Sequence, residues 1–87
     1  MLDGIGIYEG INLEGIVGIL RIKAEVVLND KVVLKSSIRL DGEKVLSISL
    51  SNTEGDKVRL MLEGSNISIQ SLSLFGKYNG LKDLLIA

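Results

Sequence analysis

The chain has 87 residues, of which ten are basic and eleven acidic, and its formal charge at pH 7 is -1. It contains neither cysteine nor histidine, which excludes disulfides, thiolate or imidazole catalysis and the usual zinc sites. No uncharged apolar run approaches the ~20 residues of a membrane helix, and no basic residue precedes Arg21, as a secretory signal would require. We therefore expect one soluble, cytoplasmic domain with no membrane contact.

Residues 1–15 form a glycine-rich segment, which we interpret as an N-terminal strand or arm. Four glycines separate the apolar residues Ile5, Ile7, Ile11 and Leu13, a spacing that favours extended structure over a helix. So much glycine lowers intrinsic order, so we expect the segment to become ordered by docking. Residues 16–87 are assigned to a single β domain.

Five strand-like runs follow, at residues 16–28, 32–40, 45–50, 57–63 and 66–75. Apolar and polar residues alternate with period two in each run, which is typical of a half-buried strand. In the first four runs the apolar residues occupy even positions. The fifth begins on odd positions, at Ile67 and Ile69, and then changes to Leu72 and Leu74. Because such a change requires an extra residue, we predict a β-bulge near Gln70-Ser71.

Turn signals separate the runs, and their lengths determine which faces coincide. Asn29-Asp30-Lys31 is predicted as a three-residue loop or a shorter turn with a bulge. Asp41-Gly42-Glu43 is predicted as a three-residue loop, or as a two-residue Asp41-Gly42 turn with an adjacent bulge. Thr53-Glu54-Gly55 fits a three-residue hairpin loop, and Gly64-Ser65 a two-residue type II′ turn. The predicted cross-strand pairs are Arg21 with Arg39, Glu25 with Lys35 as an ion pair, Ile48 with Leu60, and Leu62 with Ile67.

These features predict an all-β protein, an antiparallel meander of five to seven strands. Its apolar face must be shielded, because each exposed aliphatic side chain costs roughly 1.5–3 kcal/mol. The sheet could close into a small barrel, or two copies could form an intersubunit β-sandwich. A short C-terminal helix capped by Asn79 could also cover it, although 84–87 could instead form another strand. So short a chain has a limited core, so we expect a homo-oligomer.

The polar face carries the candidate binding residues. Arg21 and Arg39 are predicted to be cross-strand neighbours, and two adjacent guanidinium groups repel unless an anion such as phosphate or carboxylate bridges them. The full set of candidates is Arg21, Lys23, Lys35, Arg39, Lys57 and Arg59. Glu25 and Glu63 dilute this positive charge, and an ordinary solvated surface is the alternative interpretation.

The pattern indicates no catalytic site, no metal site and no cofactor. We interpret the chain as a small non-catalytic interaction module that self-associates and binds a macromolecular partner, for which a protein is one candidate. One alternative is a nucleic-acid-binding β-barrel that uses the basic face, against which stands the lack of aromatic residues at the strand centres. Another is a carrier barrel that holds an apolar ligand in its interior.

Overall fold

The computed structural model describes residues 5–77 and, as backbone only, 84–86. It confirms the all-β, largely antiparallel class, and the described residues contain no helix. The seven strands are β1 (Gly6–Glu14), β2 (Val17–Leu28), β3 (Lys31–Arg39), β4 (Val45–Gly55), β5 (Lys57–Ser68), β6 (Ser71–Lys77) and β7 (Leu84–Ile86). Of the C-terminal alternatives, residues 84–86 form a strand, whereas Asn79 and its predicted capping role lie outside the described residues.

The strands form two sheets. The three-stranded sheet has the order β4-β1-β6, and the four-stranded sheet has the order β3-β2-β5-β7. Neighbours are antiparallel throughout except for β5 and β7, which run parallel. Hydrogen bonding does not continue around the described strands into a closed barrel, so the two sheets are best described as an open sandwich within one chain.

At one corner of the sandwich, two strands of each sheet continue into strands of the other sheet. β1 continues into β2 through Gly15 and Ile16, and β5 continues into β6 through residues 69 and 70. Backbone bonds hold the corner together: the Ile16 amide donates to the Lys44 carbonyl and the Gln70 amide to the Glu14 carbonyl, each at 3.0 Å. Strands that pass from one sheet to the other in this way are a known means of making sandwich corners.

The far ends of the sheets meet where β4 runs into β5. Gly55 is buried, and the amide of Asp56 donates to the Val27 carbonyl at 2.8 Å. The Asp56 carboxylate also accepts a hydrogen bond from the Asn29 amide at 2.9 Å. This junction therefore fastens the end of the three-stranded sheet to the β2–β3 turn of the other sheet.

The β2–β3 hairpin agrees with the sequence prediction. Arg21 lies opposite Arg39 and Glu25 opposite Lys35. Asn29 and Asp30 both have positive φ, at 51° and 64°, as the central residues of a type I′ turn require. The register shifts beside Val26 and Val27, so the bulge alternative is the correct one for this turn.

The meander order is wrong beyond this hairpin. Ile48 lies opposite Ile11 rather than Leu60, and Leu62 lies opposite Ile22 rather than Ile67. The predicted turns at 53–55 and 64–65 fall within β4 and β5, and the residues at 41–43 lie in a connection between sheets rather than in a hairpin. The physical reason is that β1 and β2 insert between the other long strands and take interior positions, β1 in the three-stranded sheet and β2 in the four-stranded sheet.

The phase change near Gln70 is real but has a different structural cause. Instead of a bulge within one strand, the chain leaves the four-stranded sheet after Ser68 and enters the three-stranded sheet at Ser71. Bending of the chain between the sheets turns Leu72 and Leu74 toward the interior, where both are half-buried against the core.

The core lies between the sheets. The glycine-rich segment is an integral strand rather than an arm, since Tyr8, Ile11 and Leu13 of β1 have essentially no exposed surface. Leu20, predicted to be buried, is 65% exposed, and Ile19 is buried instead. The cause is a pair of register shifts on either side of Ile19. The aliphatic faces of the two sheets thus shield each other within one chain.

Candidate functional site

The outer face of the four-stranded sheet, here called the basic face, carries all six candidate residues. Its rows run across β3, β2 and β5, because directly opposed residues share a face. The rows are Arg39–Arg21–Glu63, Ser37–Lys23–Met61 and Lys35–Glu25–Arg59, with Lys57 opposite Val27 beyond them. The sequence placed these six side chains on one face correctly, although it assigned β3 and β5 the wrong neighbours.

Two of the six cations are paired with carboxylates. The Arg59 guanidinium donates to the Glu25 carboxylate at 3.2 Å, and Glu25 is only 7% exposed. The predicted register of Glu25 and Lys35 is correct, but the ion pair forms with Arg59 on the other side. Lys57 lies 3.8 Å from Asp30, whose side chain is almost fully exposed, so this second pair is largely screened by water.

The other four cations, Arg21, Lys23, Lys35 and Arg39, are exposed and form no ion pair within residues 5–77. Arg21 and Arg39 are directly opposed, as predicted. Together with Leu20 and Glu63 they line a depression of about 230 Å³. Two neighbouring guanidinium groups present planar donor sets to an incoming carboxylate, so the depression can hold an acidic side chain.

The connection between β3 and β4 borders this depression. Leu40 and Asp41 line a second depression of about 460 Å³ together with Leu20 and Arg39. The Asp41 amide donates to the Glu43 carboxylate at 2.5 Å. This bond and a second one from the Glu43 backbone hold the pKa of Glu43 below its ordinary value. The loop therefore favours the ionised form of Glu43. Neither Asp41 nor Glu43 forms an ion pair with Arg21 or Arg39.

The outer face of the three-stranded sheet, here called the acidic face, is chemically different. Its exposed charges are Glu9, Glu14 and Glu54, with Lys77 as the one basic residue on the described strands. The other outward-facing side chains are mostly polar, and the hydroxyl of Ser47 donates to the amide oxygen of Asn12. This face could not be predicted from the sequence, because the strand or arm expected at residues 1–15 had no assigned neighbours, although residues 1–20 contain three acidic residues and no basic ones.

A depression of about 410 Å³ lies in the middle of the acidic face. Its floor is at Gly10, which has no side chain and is directly opposite Phe75 on one side and Ser49 on the other. Glu9 and Asn12 also line it. This face therefore presents a hollow flanked along β1 by carboxylates, which can receive a side chain that projects from a partner.

The described residues contain no cluster of acidic side chains that could hold a metal ion. Among these residues there is also no helix of the length and apolar character needed to cross a bilayer. Comparisons with protein-family models, with curated proteins and with solved structures find no match to this chain. The functional argument therefore rests on the geometry and charge of the two outer faces.

Proposed function

We propose that this chain is a non-catalytic interaction module whose basic face binds an acidic protein surface. The observation that carries the proposal is the directly opposed pair Arg21 and Arg39. Both are exposed and form no ion pair within residues 5–77, although Glu63 lies opposite Arg21 on its other side. Lys23 and Lys35 extend the same charge along the face. Like charges directly opposite each other destabilise a sheet, so a bridging carboxylate from a partner would stabilise both the complex and the pair.

A protein partner fits this face better than a nucleic acid does. Single-stranded nucleic acids are held by basic grooves in which aromatic rings stack on the bases, and the rows of the basic face contain no aromatic side chain in the described strands. Glu25 and Glu63 interrupt its positive charge.

The interior is a poor site for an apolar ligand. Tyr8, Leu50 and Leu60 have no exposed surface and belong to one buried cluster between the sheets. Protein interiors of this kind are close-packed, and a ligand would have to displace core side chains. We therefore place the binding activity on the outer surface rather than inside the sandwich.

The test is a titration of the isotope-labelled protein with two probes, a poly-glutamate peptide and a single-stranded oligonucleotide of equal charge, at low salt. We expect the peptide to shift amide resonances of Arg21, Lys23 and Arg39. Arg21→Ala/Arg39→Ala should weaken its binding at least tenfold. The matched control Lys31→Ala/Lys44→Ala, which removes two exposed cations outside the rows of the basic face, should leave the affinity within about twofold.

Two results would overturn the proposal. One is the absence of any peptide-dependent shift at low salt. The other is oligonucleotide binding that is much tighter than peptide binding, equally sensitive to Arg21 and Arg39, and steeply salt-dependent. The second result would assign the basic face to nucleic acid instead.

A further inference from the structure

We infer that the acidic partner of the basic face is the acidic face of a second copy of this chain, so that copies stack head to tail. The inference rests on the proposed function and names its partner. The basic face has four cations without a carboxylate partner, and Glu9, Glu14 and Glu54 on the acidic face likewise form no ion pair within residues 5–77. One molecule thus carries both halves of a complementary contact, on opposite sides of its sandwich.

The spacing of the charges along the central strand supports this match. Glu9 and Glu14 are five residues apart on β1, and the register shift between Tyr8 and Gly10 brings both to the outer face. The distance between them is at most about 16 Å, the rise of five extended residues. On β2 the row of Arg21 and the row of Glu25, which includes Lys35, are four residues apart, about 13 Å. Flexible lysine and arginine side chains span the difference, so both carboxylates can meet a basic row at the same time.

The surface shapes of the basic face and the acidic face also match when the charged rows are aligned. Between its two outer rows the basic face carries the row of Lys23 and the half-buried Met61. Between Glu9 and Glu14 the acidic face has the hollow above Gly10, bordered by the exposed ring of Phe75. When the two faces are aligned in this way, the row of Lys23 and Met61 lies over the hollow above Gly10. A methionine thioether against an aromatic ring is a favourable contact.

The size of the contact predicts weak association. Three strands about 4.8 Å apart and nine residues long cover roughly 400 Å² per face, so the total buried area of about 800 Å² lies below the range of stable specific interfaces and fits a transient contact. A heterologous contact of this kind repeats along a row of molecules rather than closing a pair, unless the rotation between copies closes a ring. We expect concentration-dependent oligomers that dissociate as salt is added, since exposed charges are screened.

The experiment uses sedimentation velocity over a range of protein concentrations at low salt, with two charge-reversed variants. Arg21→Glu/Arg39→Glu makes the row of residues 39, 21 and 63 wholly acidic and removes the excess positive charge of the basic face, and Glu9→Lys/Glu14→Lys makes the acidic face basic. We expect the unaltered protein to associate and each variant to sediment as a monomer. An equimolar mixture of the two variants should associate again, because the unaltered acidic face of the arginine variant then meets the unaltered basic face of the glutamate variant.

A control separates face charge from net charge. Lys31→Glu/Lys44→Glu changes the net charge as much as the arginine reversal does but lies outside the rows of the basic face, and it should associate like the unaltered protein. Far-ultraviolet circular dichroism confirms that every variant is folded. Loss of association in this control to the same extent as in the arginine variant would contradict the inference.

Two further results would also overturn it: a monomeric unaltered protein at all concentrations, and a mixture of the two variants that stays monomeric. If poly-glutamate still binds the basic face of such a monomer, the proposed function stands and its partner is another protein. If neither poly-glutamate nor a second copy binds, both the function and this inference fail.

Discussion

Gly64 and Gly42 show two separate physical reasons for a glycine. Gly64 lies in β5 opposite Ile19, and a Cβ there would overlap with the carbonyl oxygen of Gly18. Gly42 lies in the β3–β4 connection with φ of 86°, and no described atom stands within 4 Å of a Cβ placed on it. The first position requires space, whereas the second requires only a left-handed backbone.

The two positions predict different responses to alanine. Gly64→Ala must push two paired backbones apart, and we expect it to lower the free energy of unfolding by at least about 2 kcal/mol. Gly42→Ala should cost only about 1 kcal/mol, the penalty for a left-handed residue with a Cβ. Gly42→Asn should cost less still, since asparagine tolerates this region. Urea denaturation measures all three; equal costs for the two alanine variants would refute the steric argument.

The pair Glu25 and Arg59 gives a second prediction for individual residues. Because Glu25 is buried, the loss of its partner leaves a poorly solvated carboxylate. A double-mutant cycle with Glu25→Gln and Arg59→Gln should give a coupling of about 0.5–2 kcal/mol, limited by the partial exposure of Arg59. The matched cycle with Lys35→Gln should give less than about 0.5 kcal/mol. A larger coupling to Lys35 would show that the ion pair in solution is the one predicted from sequence.

Among the elements, the β2–β3 hairpin is the one whose pairing the sequence predicts. Its turn is short and its registers are local, so the period-two pattern and Asn29-Asp30 determine them together. The other pairings are not local. Parity requires opposed residues to face the same side, but it holds for any antiparallel neighbour. For this reason Leu62 fits opposite Ile22 as well as it fits the predicted row beside Ile67.

The same argument explains which binding residues could be predicted. The face of a residue depends only on its parity within its own strand, so the basic face could be predicted without the strand order. The acidic face could not, because its assignment requires β1 to lie between β4 and β6. The corners at residues 15–16 and 69–70 also have no distinct turn signature, so a strand that changes sheet resembles a bulged strand.

The junction between β4 and β5 gives a prediction about one element. Asp56 connects this junction to the β2–β3 turn through its carboxylate, which accepts the Asn29 amide. Asp56→Ala removes that acceptor, and we expect a loss of about 1 kcal/mol in the free energy of unfolding. Hydrogen exchange at the Asn29 amide should become faster in Asp56→Ala, and by more than the loss of global stability alone would cause.

Asp30→Asn is the matched control for this junction. It removes a charge next to Lys57 at the same turn, but that pair is exposed and long. Exchange at Asn29 should therefore remain unchanged in Asp30→Asn. Equal acceleration in the two variants would mean that the charge of the turn, rather than the Asp56 bond, protects this amide.

For the whole molecule, the important feature is that both sheets come from one chain. The central strand pair β1–β2 extends through both sheets, and Tyr8 of β1 and Leu60 of β5 belong to one buried cluster. Most pairings therefore join residues far apart in sequence. Proteins dominated by such non-local pairings fold slowly, on the scale of milliseconds to seconds, and we expect a refolding rate in that range.

The last prediction separates folding from association. Because the apolar faces are shielded within the chain, the free energy of unfolding should not depend on protein concentration at moderate salt, where exposed charges on the outer faces are screened. An obligate dimer would instead gain stability by mass action, about 1.4 kcal/mol per tenfold rise in concentration. Urea unfolding at two concentrations a hundredfold apart measures this difference. A midpoint that rises with concentration would show that part of the core is completed by a second copy, through a contact between apolar surfaces rather than between the charged outer faces.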